Sequence, residues 1–139
     1  MNMTQESVDL VVLIDDSDID LFVQRRFIEL SGFARRVITF RSSREALNHL
    51  SDSNLNEHPD LIFLDLNMPE IDGFSFLEQY GKLVKGAPTR IIILTSSSSA
   101  LDRDRAATYG NVVGFLSKPL TEGNLAEIDL KSLKGIGGS

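Results

Sequence analysis

The chain has 139 residues, no cysteine, 42% hydrophobic and 24% charged residues and a formal net charge of −6, which fits one globular domain and excludes a disulfide framework, a cysteine-zinc centre and thiol catalysis. A folded chain of this length would have a radius of gyration of roughly 14 Å and bury about two-thirds of its unfolded surface, enough for a core without staples. A pI near 4.8 opposes general binding to nucleic-acid phosphates, the apolar runs fall far short of the ~20 residues that cross a bilayer, and the N-terminus lacks a signal-peptide core, so the expectation is a cytoplasmic protein with neither nucleic acid nor membrane as partner.

Residues 1–7 and 134–139 read as flexible tails around a domain spanning 8–133. The first apolar run, Leu10 to Ile14, is short and β-branched, as strands are, and ends in Asp15-Asp16. Ile19, Val23, Phe27 and Leu30 then share one helical stripe, closed by Ser31-Gly32. Val37 to Phe40 is the second strand, and Ser42 with Glu45 predicts a capping box ahead of Ala46, Leu47 and Leu50. Ser51 to Pro59 is a long polar loop. Leu61 to Leu64 is the third strand and runs into Asp65. The third helix, Gly73 to Val84, carries Phe74, Leu77 and Leu83 before the breaker Gly86-Ala-Pro88. Ile91 to Leu94 is the fourth strand, followed by Thr95-Ser96. The helix from Leu101 to Tyr109 is polar, with only Leu101, Ala106, Ala107 and Tyr109 to bury, and Gly110 ends it. Val112 to Leu116 is the fifth strand and leads to Lys118-Pro119. Thr121 caps a last helix through Leu125, Ile128 and Leu133.

Three of the strands are continuously apolar, as strands buried on both faces of a parallel sheet must be. Five βα units predict an α/β fold with a doubly wound five-stranded parallel sheet in the flavodoxin-like (βα)5 order 2-1-3-4-5. Its ligand crevice lies outside the carboxyl ends of the strands, at the switch between strands 1 and 3. Four of those ends carry Asp15-Asp16, Asp65, Thr95 and Lys118. Adjacent strands about 4.8 Å apart bring Asp15 and Asp16 beside Asp65, and Asp65 beside Thr95. Lys118 starts roughly 10 Å from Asp65, a gap its stem can largely close.

Three crowded carboxylates repel one another unless protonated or neutralised by a cation. Hard oxygen ligands indicate Mg²⁺, which prefers one or two carboxylates, retained waters and a phosphate oxygen. Asp16 and Asp65 would bind directly, Asp15 through water, and Asn67 could add its backbone carbonyl. Lys118, Thr95 and the position above Asp65 then complete a phosphoryl site, in which the ionised Asp65 needs no base. That suits a site without histidine, since His49 and His58 lie elsewhere. Taken singly, each feature has a plain structural alternative: Asp-Asp as a helix N-cap, Lys-Pro as a turn, Thr95 as an ordinary strand end. Their convergence on one end of the sheet outweighs those readings.

The motifs Leu13-Ile-Asp-Asp-Ser17, Leu64-Asp-Leu-Asn-Met-Pro69 with Asp72-Gly73, Leu94-Thr-Ser96 and Phe115-Leu-Ser-Lys-Pro119 together resemble the receiver domain of two-component response regulators, over about Val8 to Leu133. The resemblance implies that Asp65 is the phosphoacceptor, Asp15 and Asp16 the acidic pair for Mg²⁺, Asn67 the carbonyl ligand, Thr95 the switch hydroxyl and Lys118 the phosphate-binding lysine. It also implies a cis Lys118–Pro119 bond, Phe115 as the aromatic switch, and Asn67 and Ser97 as tuners of hydrolysis. The donor would be a sensor histidine kinase or histidine phosphotransfer protein, docking near Arg25 and Arg26 of the first helix. With no output domain expected after the fifth helix, a stand-alone domain would signal to a downstream protein through helix 4, strand 5 and helix 5. Two alternatives are a degenerate receiver acting as a phosphorylation-independent scaffold and a phosphohydrolase of the haloacid-dehalogenase type. The latter is disfavoured because Asn67 stands where its general acid would be. Flavin binding is disfavoured by the acidic crevice.

Overall fold

A computed structural model describes residues 7–51, 58–68, 72–83, 89–96 and 99–128. Five strands, β1 (Val8–Ile14), β2 (Ala34–Phe40), β3 (Leu61–Leu64), β4 (Arg90–Thr95) and β5 (Val112–Ser117), alternate with α1 (Asp18–Ser31), α2 (Ser43–Leu50), α3 (Gly73–Leu83), α4 (Ala100–Ala106) and α5 (Glu122–Glu127). All pairings are parallel, in the order β2-β1-β3-β4-β5. The expected doubly wound topology is the observed one. The tails, most of the loop Ser51 to Pro59, Val84, Gly86-Ala-Pro88, Ser97 and Leu133 lie outside the described residues. No helix among the described residues is long and apolar enough to cross a membrane.

The central strands β1, β3 and β4 are almost wholly buried, whereas the edges β2 and β5 are only half-buried. Strand alternation sends side chains into two cores. On one face Val12, Ile14, Ile62, Leu64, Ile91 and Ile93 pack with α2, α3 and Ala106 of α4. On the other, Val11, Leu13, Leu61, Phe63, Ile92 and Leu94 pack with Leu21, Ile28 and Leu125 of α1 and α5. Each such side chain contributes roughly 1.5–3 kcal/mol by leaving water.

Local chemistry sets the helix ends. Ser17 Oγ accepts from Asp20 N–H at 3.2 Å to start α1, and Gly32 ends it at φ 71°, a conformation that favours glycine. Ser42 Oγ accepts from Arg44 and Glu45 N–H at the start of α2, the Ser42 half of the expected box. Thr121 and Asn124 form a reciprocal capping box on α5.

Three helix faces differ from expectation. On α1 the buried residues are Leu21, Gln24 and Ile28, with Phe27 half-buried, while Ile19 is 76% exposed and Leu30 also faces solvent. Of the expected stripe, Val23 and Phe27 are half-buried and the two end residues are exposed, so the buried face is rotated from it toward Leu21, Gln24 and Ile28. On α3, Phe74, Phe76, Leu77 and Tyr80 are buried but Leu83, in the last turn, is not. On α4, Leu101 is 80% exposed and Ala107 is exposed. Only Ala106 is fully buried, with half-buried Tyr109 following the helix. Arginine–aromatic contacts supply the missing anchorage: the guanidinium carbons of Arg103 and Arg105 lie 5.2 and 4.0 Å from the ring centroids of Phe115 and Phe74.

One glycine joins the fold to the end of β3. A Cβ built on Gly73 would lie 2.7 Å from Leu66 Cα and 2.8 Å from Asp65 O, so α3 starts against the backbone that follows β3. Gly73→Ala is expected to destabilise the fold by about 1–3 kcal/mol through overpacking, read as a lower urea midpoint with an unchanged m-value. Gly81→Ala, with nothing within 4 Å of its Cβ, should not destabilise.

Candidate functional site

The carboxyl ends of β1 and β3 meet in register. Ile14 pairs with Leu64, and Asp65 N–H donates to Ile14 O at 3.0 Å, which puts the residues after each strand side by side. Asp15, Asp16 and Asp65 each offer a carboxylate oxygen, and these atoms lie within 4.8 Å of one another. Asp15 and Asp65 are buried, and Asp16 is exposed. The cap of α1 is Ser17, so the acidic pair is not merely a helix cap. Such a donor set, hard oxygens with one open side, is able to coordinate a metal ion.

Each buried carboxylate is held. Asp15 Oδ1 accepts from Ser17 N–H at 3.0 Å, and Oδ2 accepts from Gln24 Nε2 at 3.2 Å. Asp65 Oδ1 accepts from Asn67 N–H at 3.2 Å. Asn67 itself sits exposed at the rim, and its Nδ2 donates to Thr95 Oγ1 at 3.3 Å. Thr95, the last residue of β4, is fully buried.

Lys118 crosses from the end of β5. Its N–H donates to Thr95 O at 2.9 Å, the Lys118–Pro119 bond is cis, and Nζ lies 2.7 Å from Asp15 Oδ2 and 3.2 Å from Asp65 Oδ2. The stem therefore closes the two-strand gap. Nζ also lies 2.7 Å from Asp20 Oδ2. The sequence reading missed both Asp20 and Gln24. A signal is present in their spacing, since they lie one helical turn apart and five and nine residues after Asp15.

Burial pushes the Asp15 carboxyl above its usual value of 3.8, with the charge of Asp65 adding to it, against the opposing pull of Lys118 and the Ser17 N–H. For Lys118, burial alone would lower the ammonium. Hydrogen bonds to Asp15 and Asp20 and the charges of Asp15 and Asp65 outweigh it and hold the proton more tightly than usual. Phe115 on β5 is half-buried, packed on the α2–α3 side of the sheet beneath Arg103. The His49 ring lies tilted against that of Phe40, with centroids 5.3 Å apart.

The family described as "Response regulator receiver domain" matches residues 11–128. A two-component response regulator from Cytophaga hutchinsonii superposes with a TM-score of 0.85 at 27% identity, covering 93% of this chain and 99% of that one. A response regulator receiver protein from Dyadobacter fermentans DSM 18053 does so with a TM-score of 0.79 at 34% identity, covering 91% and 98%. The curated protein "Probable methanogenesis regulatory protein FilR2" of Methanothrix harundinacea is 29% identical over 115 residues, 81% of this chain and 73% of its own length. Two other curated relatives are longer, and the chain spans 15% and 32% of them.

A buried carboxyl with a raised pKa works against folding at neutral pH. Above 3.8 the unfolded chain has lost a proton that folded Asp15 still favours, so stability falls as the pH rises through this window. Asp15→Asn is therefore expected to stabilise the metal-free protein by about 1 kcal/mol at pH 7. The gain should vanish below pH 3.8, where the carboxyl is protonated in both states, as measured by thermal unfolding in EDTA across that range.

Proposed function

The chain belongs to the response regulator receiver domain family, and on that premise we propose that it is the phosphoacceptor of a two-component phosphorelay. Asp65 takes a phosphoryl group from a phosphohistidine on a sensor histidine kinase or histidine phosphotransfer protein, with Mg²⁺ as cofactor. The observation that carries this reading is the meeting of three carboxylates and one ammonium at the carboxyl end of the sheet.

Asp15, Asp16 and Asp65 would hold the cation, with the Asn67 carbonyl as a further ligand. The chemistry a bound Mg²⁺ supplies is neutralisation of negative charge on the carboxylates and the phosphoryl oxygens. The chain's own residues do the rest. Asn67 N–H and Lys118 each take one oxygen of Asp65, which fixes the carboxylate against rotation and orients it for in-line attack. A carboxylate oxygen attacks phosphorus, the P–N bond of the phosphohistidine breaks, and the imidazole leaves with the bonding electrons and is protonated from water. The product is an acyl phosphate. Water later cleaves it, releasing inorganic phosphate and restoring the carboxylate, with Asn67 and Ser97 as tuners.

The Thr95 hydroxyl is close enough to the rim, through its Asn67 contact, to serve as the switch that follows the phosphoryl group. Phe115 is the aromatic that repacks in response, and α4, with little apolar anchorage, shifts with it. The downstream partner docks on the face of α4, β5 and α5. The donor docks near exposed Arg25 and Arg26 of α1, where Arg25 pairs with Glu29 at 3.1 Å.

Incubation with MgCl₂ and acetyl phosphate, followed by intact-mass measurement, is expected to add one labile phosphoryl group. The gain should be absent in Asp65→Asn and in EDTA. No Mg²⁺-dependent gain with any acyl-phosphate or phosphohistidine donor would overturn the reading in favour of a scaffold, and sustained turnover of phosphate monoesters would overturn it in favour of a hydrolase.

A further inference from the structure

Lys118 is shared by carboxylates from three elements of the structure: Asp15 after β1 at 2.7 Å, Asp20 in α1 at 2.7 Å and Asp65 after β3 at 3.2 Å. An ammonium has three N–H donors and no more, so in this state every donor faces a carboxylate. For Lys118 to meet a phosphoryl oxygen, one contact must be given up. The side chains of Asp15 and Asp65 are 2% and 6% exposed, and withdrawing the ammonium from either leaves a poorly hydrated charge. The Asp20 side chain is 39% exposed, so water can replace the ammonium there. Asp20 is the contact most readily released.

We propose that Asp20 is a positioning residue that stores Lys118 in the unphosphorylated chain and yields it to the incoming phosphoryl group, thereby setting the threshold for phosphoryl uptake. The proposal rests on Asp65 being the phosphoacceptor. Asp20 also adds a negative charge beside the path of a phosphate dianion, which acts in the same direction. The step itself is unchanged: an Asp65 oxygen bonds to phosphorus, the P–O bond of acetyl phosphate breaks, acetate leaves, and Lys118 neither gains nor loses a proton.

The test compares initial rates of phosphoryl gain from acetyl phosphate at fixed Mg²⁺ and ionic strength in the wild type, Asp20→Asn, Asp20→Glu and Asp18→Asn. Asp18 belongs to the same turn and pairs with Arg41 at 3.0 Å on the surface, so its substitution removes the same formal charge without touching Lys118. Asp20→Asn should raise the rate about two- to fivefold, the range over which one partly exposed ion pair acts. Asp20→Glu should return it to near the wild-type value, and Asp18→Asn should change it by less than about 1.5-fold. Calorimetric affinity for beryllofluoride, a non-covalent phosphoryl mimic, should rise with Asp20→Asn by the same factor. A rate and an affinity at or below wild type in Asp20→Asn, or an equal rise in Asp18→Asn, would overturn the proposal while leaving Asp65 as acceptor. A wild type that takes up no phosphoryl group would remove the acceptor reading and this role with it.

Discussion

Negative oxygens gathered at the carboxyl end of a parallel sheet can stay together only if they take up protons or positive charge lies among them. The fold makes that gathering unavoidable: β1 and β3 are neighbours in register, and each is followed at once by aspartate. One cation is built in. Lys118 arrives from the strand at the far edge, its backbone tied to Thr95 and its ammonium inserted between Asp15 and Asp65. A single ammonium does not balance the cluster, and burial still pushes the Asp15 carboxyl upward. The residual imbalance leaves the three carboxylates able to take up a metal ion.

Much of the surrounding structure serves that arrangement. Gly73 lets α3 begin against the backbone of Asp65 and Leu66. Ser17 and Gln24 fix both oxygens of Asp15 from the start and middle of α1. The two faces of the sheet divide the work. Asp15 and Asp65 share the strand faces that pack on α1 and α5, whereas Thr95 alternates to the α3–α4 side, where Phe115 packs under Arg103. Asn67 bridges the two through its contacts with Asp65 and Thr95.

The sheet and the charged crevice were legible in the sequence because both obey short rules. Continuous apolar runs such as Leu61 to Leu64 mark doubly buried strands, and the residue after each run must sit at the crevice whatever the helices do. Helix orientation was less legible. On α1 the stripe of Ile19, Val23, Phe27 and Leu30 is apolar throughout, yet the face turned inward holds Asp20, Leu21, Gln24 and Ile28, and of the stripe only Val23 and Phe27, its members nearest that face, are half-buried. The centres of stripe and face lie roughly 120° apart at 100° per residue. The helix is turned so that Leu21, Phe27 and Ile28 pack on the core while Gln24 and Asp20 reach Asp15 and Lys118. Leu101 misled for a related reason, because α4 is held through Arg103 and Arg105 lying on aromatic rings, a contact that hydrophobic patterning does not register.

The most direct test of the charge argument is the thermal midpoint as a function of MgCl₂, with NaCl held at matching ionic strength. If the carboxylates of Asp15, Asp16 and Asp65 share a cation in the folded state alone, the midpoint climbs with the logarithm of free Mg²⁺ once the site fills. The stabilisation should reach about 2.7 kcal/mol at a hundredfold excess over Kd. A midpoint that stays at its EDTA value throughout the titration would contradict the account.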